Sequence, residues 1–137
     1  MNNPSPHRVL VVEDNVLNLE LVTDLLEAAG YVVWPARTAE EGLHRAQHLP
    51  DLILMDLSLP GMDGLAAIRA LRTGPLTTDL PIIVLTAHAM KGDEEIARAA
   101  GCDGYLTKPI DTRTFVEKVA GFIAFAHLRR TIDTPTN

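Results

Sequence analysis

Five short apolar runs punctuate the chain: Val9–Val12, Tyr31–Trp34, Leu52–Met55, Ile82–Leu85 and Gly104–Leu106. The first, third and fourth are near-continuous in Val, Ile and Leu. Strands buried on both faces have that pattern, as in a parallel sheet covered by helices. The fifth run is weaker by propensity and takes its place from the alternation. Between the runs, apolar residues recur at helical spacing. Leu19, Val22, Leu26 and Ala29 share one face, with Leu21 and Leu25 beside them, and Gly30 stands where a C-terminal cap belongs. Thr38-Ala39-Glu40-Glu41 has the form of a capping box and opens a helix to about Gln47. A third helix is predicted from about Leu65 to Arg72, stopped by Gly74-Pro75, and a fourth near Asp93–Ala100, stopped by Gly101. A fifth opens at Asp111, with Phe115, Val119, Phe122 and Ile123 on one stripe.

The pattern is strand–helix repeated five times. It predicts an α/β fold: a (βα)5, doubly wound, parallel five-stranded sheet with right-handed crossovers and helices on both faces. With 137 residues the chain is one domain and little more. We expect a disordered N-terminal tail over 1–7, the domain over 8–128 and a flexible C-terminal tail over 129–137. No output domain is expected beside it.

Composition narrows the class. Twelve Lys and Arg against eighteen Asp and Glu leave a formal charge of −6, which argues against direct nucleic-acid binding. One cysteine, Cys102, excludes an internal disulfide and any multi-Cys metal site; it is expected to be a small buried hydrophobe. No apolar run is long enough to span a bilayer, and Met1–His7 lacks the features of a signal peptide. A soluble, cytoplasmic protein without membrane insertion is the expectation. Trp34 is read as packing on an edge strand.

In open parallel sheets the functional crevice lies at the carboxyl ends of the strands. Glu13-Asp14-Asn15 follow the first run, Asp56 the third, Thr86 the fourth, and Thr107-Lys108-Pro109 the fifth. Taken singly, each has an ordinary reading: a polar strand end, a turn cap, a turn hydroxyl, a solvated lysine. Taken together they place three carboxylates, a hydroxyl and an ammonium on one edge. Three ionised carboxylates at close range call for a cation, and hard oxygen donors suit Mg²⁺. Such an ion would keep Asp56 deprotonated as a nucleophile. Lys108 and Thr86 supply the charge and hydrogen bond that phosphoryl transfer requires.

Five segments carry a resemblance: Val9–Asn15, Asp51–Asp56, Leu59–Gly64, Ile83–Ala87 and Gly104–Ile110. Together they resemble the response-regulator receiver domains of bacterial two-component signalling. The resemblance implies strand order 2-1-3-4-5. It implies that Asp56 accepts a phosphoryl group from a sensor histidine kinase or a histidine phosphotransfer protein of a phosphorelay. It implies Mg²⁺ held by Asp14, Asp56, Glu13 through water, and the Ser58 backbone carbonyl. Thr86 and Lys108 would contact the phosphoryl group, Tyr105 would be the switch aromatic, and the bond before Pro109 would be cis. Ser58 and His88 fall where the family tunes phosphoryl lifetime. The wording of Asp24–Tyr31 and Ala89–Glu95 is similar to stand-alone receivers that regulate cell division. A phosphorylated state would switch the surface of helix four, strand five and helix five toward a downstream protein. Helix five carries Phe115, Phe122, Ile123, Phe125 and Leu128, more apolar residues than one buried stripe needs. Either a broad core face or a docking face explains them, and a monomer or weak homodimer is expected.

Other classes fit less well. An aspartyl phosphatase of the haloacid-dehalogenase type wants a second Asp two residues after its nucleophile, where this chain has Ser58. A flavodoxin-type binder wants a phosphate loop where Glu13-Asp14 stand. A pure interaction module with a dead site would not need Asp14, Asp56, Thr86 and Lys108 together.

Overall fold

The computed structural model describes residues 6–57, 63–87 and 92–133, the last five by backbone alone. Ten elements alternate: β1 Arg8–Val12, α1 Val16–Ala28, β2 Val32–Ala36, α2 Ala39–Ala46, β3 Leu52–Asp56, α3 Gly64–Thr73, β4 Ile82–Thr86, α4 Asp93–Ala100, β5 Gly104–Thr107 and α5 Phe115–Asp133. The strands form one parallel sheet in the order β2-β1-β3-β4-β5. Both the fold class and the strand order are those expected.

Residues along each central strand alternate between two cores. Leu10, Val12, Ile53, Met55, Ile82 and Val84 face the small residues of α2, α3 and α4, including Ala39, Ala46, Ala67 and Ala97. Val9, Val11, Leu52, Leu54, Ile83 and Leu85 face Val22 and Leu26 of α1 and Phe115, Val119 and Ile123 of α5. Double coverage is why β3 and β4 are buried at every position. Edge strand β2 is half-exposed and tolerates Pro35 for that reason.

Local chemistry sets the helix ends. Asn15 caps α1, its side chain accepting from the Asn18 N–H at 3.0 Å. After α1, Gly30 at φ +96° closes a Schellman turn, with Tyr31 N donating to Leu26 O and Gly30 N to Glu27 O. At α2 the Thr38 hydroxyl accepts from Glu41 N at 3.1 Å, but the Glu41 carboxylate accepts from Arg37 N rather than from the cap residue. The expected box is therefore half formed. Asp111 opens a lead-in turn instead of the helix proper. Its carboxylate accepts from Arg113 N, its carbonyl accepts from Phe115 N, and α5 begins at Phe115. The same helix continues to Asp133, past residue 128.

One close approach bears on the site. A Cβ on Gly64 would lie 2.6 Å from the Asp56 carbonyl oxygen and 2.8 Å from Leu57 Cα. Glycine lets the start of α3 sit directly against the end of β3. Cys102 is buried, as expected.

The opposite edge of the sheet is tied by Arg72. Its guanidinium donates to Gly101 O at 2.9 Å, Thr78 O at 3.0 Å, Leu80 O at 2.7 Å and Asp103 Oδ2 at 2.8 Å. Asp103 Oδ2 also accepts from Ile82 N at 2.9 Å. The planar fork thus joins α3, the entry to β4 and the turn before β5. Replacing Arg72 by Ala should lower unfolding stability by about 2–4 kcal/mol, since partly buried acceptors lose a charged donor. The measurement is a urea midpoint at unchanged m-value, and Arg72→Lys should recover little of it.

Candidate functional site

Strand register brings the site together. Val12 pairs with Met55, so Glu13 and Asp56 lie side by side where β1 and β3 end. Asp56 pairs with Leu85, and Thr86 with Thr107, so Thr86 and Lys108 follow on the next two strands. The Lys108 N–H donates to Thr86 O at 2.8 Å, and the Lys108-Pro109 bond is cis. Glu13, Asp56 and Thr86 are buried polar residues, each 1–2 % exposed.

Charge concentrates here. Carboxylate oxygens of Glu13, Asp14 and Asp56 all lie within 4.8 Å of one another. Lys108 Nζ reaches into the cluster, 2.6 Å from Glu13 Oε1 and 3.3 Å from Asp56 Oδ2. Burial, reinforced by the Asp56 side chain, pushes the Glu13 carboxyl up to about 7 against the pull of Lys108. Burial works to lower the Lys108 ammonium. Its hydrogen bond to Glu13 and the charges of Asp56 and Glu13 outweigh that, and the lysine is held above its ordinary value.

The expected residues Glu13, Asp14, Asp56, Thr86 and Lys108 are thus gathered on one edge. Tyr105, on β5, packs against the core under α2–α4, and its phenol shares a side-chain hydrogen bond with Thr86. Ser58 and His88 lie outside the described residues. Arg37 was not among the sequence candidates. It follows β2 directly, and its Nη2 donates to Asp14 O at 3.1 Å. The rule that singled out the other strand ends does not reach it, because the apolar run stops at Trp34.

The donor set fits a hard divalent ion. Two oxygens on opposite sides of an octahedral Mg²⁺ stand about 4.2 Å apart, close to the span of these carboxylates. All three donors are oxygen, and Lys108 alone leaves the acids in excess.

An acidic triad, a lysine and a threonine at the carboxyl edge of a 2-1-3-4-5 sheet define a class of signalling domain rather than a cofactor binder. Comparison with known proteins agrees. The family model for the response regulator receiver domain matches residues 9–120. The chain is 43% identical over 122 residues to the polar-differentiation response regulator DivK of Brucella anthropi, covering 88% of this chain and 99% of that one. It is 44% identical over 119 residues to DivK of Brucella ovis, covering 86% and 97%. Among solved structures it superposes on a CheY-like receiver domain protein of Methanospirillum hungatei with TM-score 0.83, 29% identity and coverage of 91% and 99%. The receiver domain of a sensor histidine kinase from Pseudomonas aeruginosa matches at TM-score 0.80, 33% identity and coverage of 87% and 98%. That structure has a magnesium ion coordinated in its active-site cleft. This chain belongs to the response-regulator receiver family of two-component signalling.

The raised Glu13 carboxyl has a stability consequence in chelator. The folded protein holds the proton more tightly than the unfolded chain does. Its contribution is therefore full below the ordinary value of 4.5 and is lost as pH rises through about 7. Metal-free protein should lose about 3 kcal/mol across that window, and Glu13→Gln should flatten the loss. Chemical denaturation at stepped pH in EDTA measures both.

Proposed function

We propose that this receiver takes a phosphoryl group on Asp56 from the phosphohistidine of a sensor kinase or phosphotransfer protein, and that the phosphorylated state changes which proteins it binds. The observation that carries the reading is the Lys108 ammonium set between Asp56 and Glu13 in a buried carboxylate cluster. An Asp56 carboxylate oxygen attacks phosphorus, the phosphorus–nitrogen bond to the donor histidine breaks, and an acyl phosphate forms. Lys108 is within reach of the incoming phosphoryl oxygens as a point charge. Thr86 supplies a hydroxyl donor on the neighbouring strand. Glu13, Asp14, Asp56 and the Ser58 carbonyl would hold Mg²⁺. When bound, the ion neutralises the acids and the charge of the transferring group. Attack of water on phosphorus later restores Asp56, with Ser58 and His88 placed by sequence to tune that rate.

The signal leaves through Thr86. Its hydroxyl is shared with Tyr105 in the present state. A phosphoryl group on Asp56 adds about −1.5 to −2 charge and competes for that hydroxyl. Tyr105 then repositions and the face of α4, β5 and α5 changes. Ile96 on α4 and Phe125 and Leu128 on α5 are 51 %, 61 % and 56 % exposed, which supports a protein-binding role for that face. On the other side of the acidic site, Val16 and Leu17 of α1 are 45 % and 75 % exposed and suit a phosphodonor protein. Two-component donors act in the cytoplasm, which is where this reading places the chain. Among the described residues no helix is long and apolar enough to cross a membrane.

Incubation with Mg²⁺ and acetyl phosphate, followed by intact mass, should reveal one base-labile phosphoryl adduct. Asp56→Asn should abolish it. If the small donor fails, a cognate phosphorylated histidine protein is the deciding donor, and an adduct that survives Asp56→Asn sinks the reading. Two surface variants separate input from output. Leu17→Asp should slow transfer from a protein donor at least tenfold while leaving acetyl phosphate acceptance intact. Phe125→Asp should spare transfer yet weaken target or self association, read by sedimentation and pull-down at unchanged melting temperature.

A further inference from the structure

Arg37 stands one residue past the end of β2, beside the linker that carries Asp14 from β1 to α1. Its base is firmly held. Ala36 and Ala39 on either side are fully buried. The Ala36 carbonyl accepts from Glu13 N at 2.9 Å, and Arg37 N donates to Glu41 Oε2 of α2 at 3.5 Å. The side chain is exposed, yet its Nη2 donates to the Asp14 carbonyl oxygen at 3.1 Å, across 23 positions of sequence. The guanidinium therefore grips the backbone of Asp14. Asp14 differs from the other two acids of the triad. Asp56 belongs to β3, and Glu13 N continues the ladder between β1 and β2, whereas Asp14 lies in the open linker just before the Asn15 cap. It is also the least buried of the three. Arg37 supplies a bond from outside that linker to the Asp14 peptide.

We infer that Arg37 is a positioning residue for Mg²⁺ binding: by holding the Asp14 carbonyl it keeps the Asp14 carboxylate within the triad. This rests on the receiver reading above, in which Asp14 is a ligand. Groups that orient a ligand from behind govern about 10–100-fold in metal affinity, because an unheld ligand must be ordered when the ion arrives. Charge alone argues the other way. A guanidinium near a dication repels it, so deleting the positive charge would tighten binding. The two effects have opposite sign, and the direction of the change tells them apart.

Full-length protein is titrated with magnesium chloride at constant ionic strength and followed by amide NMR spectra. The Asp14 carbonyl carbon resonance and the melting temperature are recorded separately in EDTA. Arg37→Met keeps the stem and loses both charge and donor. Its Mg²⁺ affinity should fall about tenfold. Its Asp14 carbonyl resonance should move already in EDTA, with the melting temperature unchanged. Arg37→Gln, uncharged and shorter, should weaken Mg²⁺ binding as well. Arg45→Met removes another arginine of α2, one set 3.7 Å from Glu41 Oε1, and should bind Mg²⁺ like the parent. Equal or tighter Mg²⁺ binding in Arg37→Met overturns this inference and leaves the receiver reading standing. So does an unmoved carbonyl resonance, an equal loss in Arg45→Met, or a loss that tracks a lowered melting temperature in both Arg37 variants. A parent without a saturable Mg²⁺ shift overturns the metal reading itself, and this inference with it.

Discussion

The pairing register of four parallel strands is the constraint from which the site follows. All five strands point the same way, so their ends share one edge. Asp56 pairs with Leu85 and Thr86 with Thr107, and Glu13 lies one residue past the Val12–Met55 pair. A one-residue slip of β3 would turn Asp56 to the other face of the sheet and separate it from Glu13 and Lys108. Strands with apolar residues at every position carry little register information of their own. The packing of α1 and α5 on one face and α2, α3 and α4 on the other supplies it. Gly64 contributes by letting α3 press against the backbone that follows Asp56.

The two edges of the sheet divide the work between stability and chemistry. At the amino edge, Arg72 and Asp103 fasten the entries to β4 and β5 with satisfied hydrogen bonds. At the carboxyl edge, buried acids outnumber the ammonium that meets them, which raises the Glu13 carboxyl. Like charges held this closely are unfavourable until a cation or a proton joins them. The frame can carry that cost because the strands beneath the acids are wholly buried and fully paired. The choice of cation follows the same division. A rigid fork suits Arg72, which serves four fixed acceptors, whereas a flexible point charge suits Lys108, which meets the carboxylates of Glu13 and Asp56 together.

Thr86 stands between the acidic cluster and β5. It is buried at the end of β4, beside the acidic cluster on one side and Tyr105 on the other. In the switch proposed above, that one hydroxyl couples a charge change at Asp56 to a ring on β5. The exposed apolar residues of α4 and α5 lie on the elements flanking that ring.

The element order, the doubly covered strands and the residue types at the strand ends are all legible in the amino-acid pattern. Continuous Val, Ile and Leu runs can be satisfied only between two helical layers, and strand ends in such a sheet face the crevice. It also distinguished the buried stripe of α5, though not that Phe125 and Leu128 stand outside it, since a broad apolar face reads alike whether covered or bare. Arg37 is hidden from the strand-end rule because the apolar run stops at Trp34, whereas β2 continues through Pro35 to Ala36. Asp111 has the composition of a cap, yet whether a cap starts a helix or a lead-in turn depends on the chain that follows. The distances among Glu13, Asp56 and Lys108 and the Arg72 clamp arise only in the folded chain. Each joins residues far apart in the chain, and their meeting depends on crossover geometry and helix packing that no local pattern encodes.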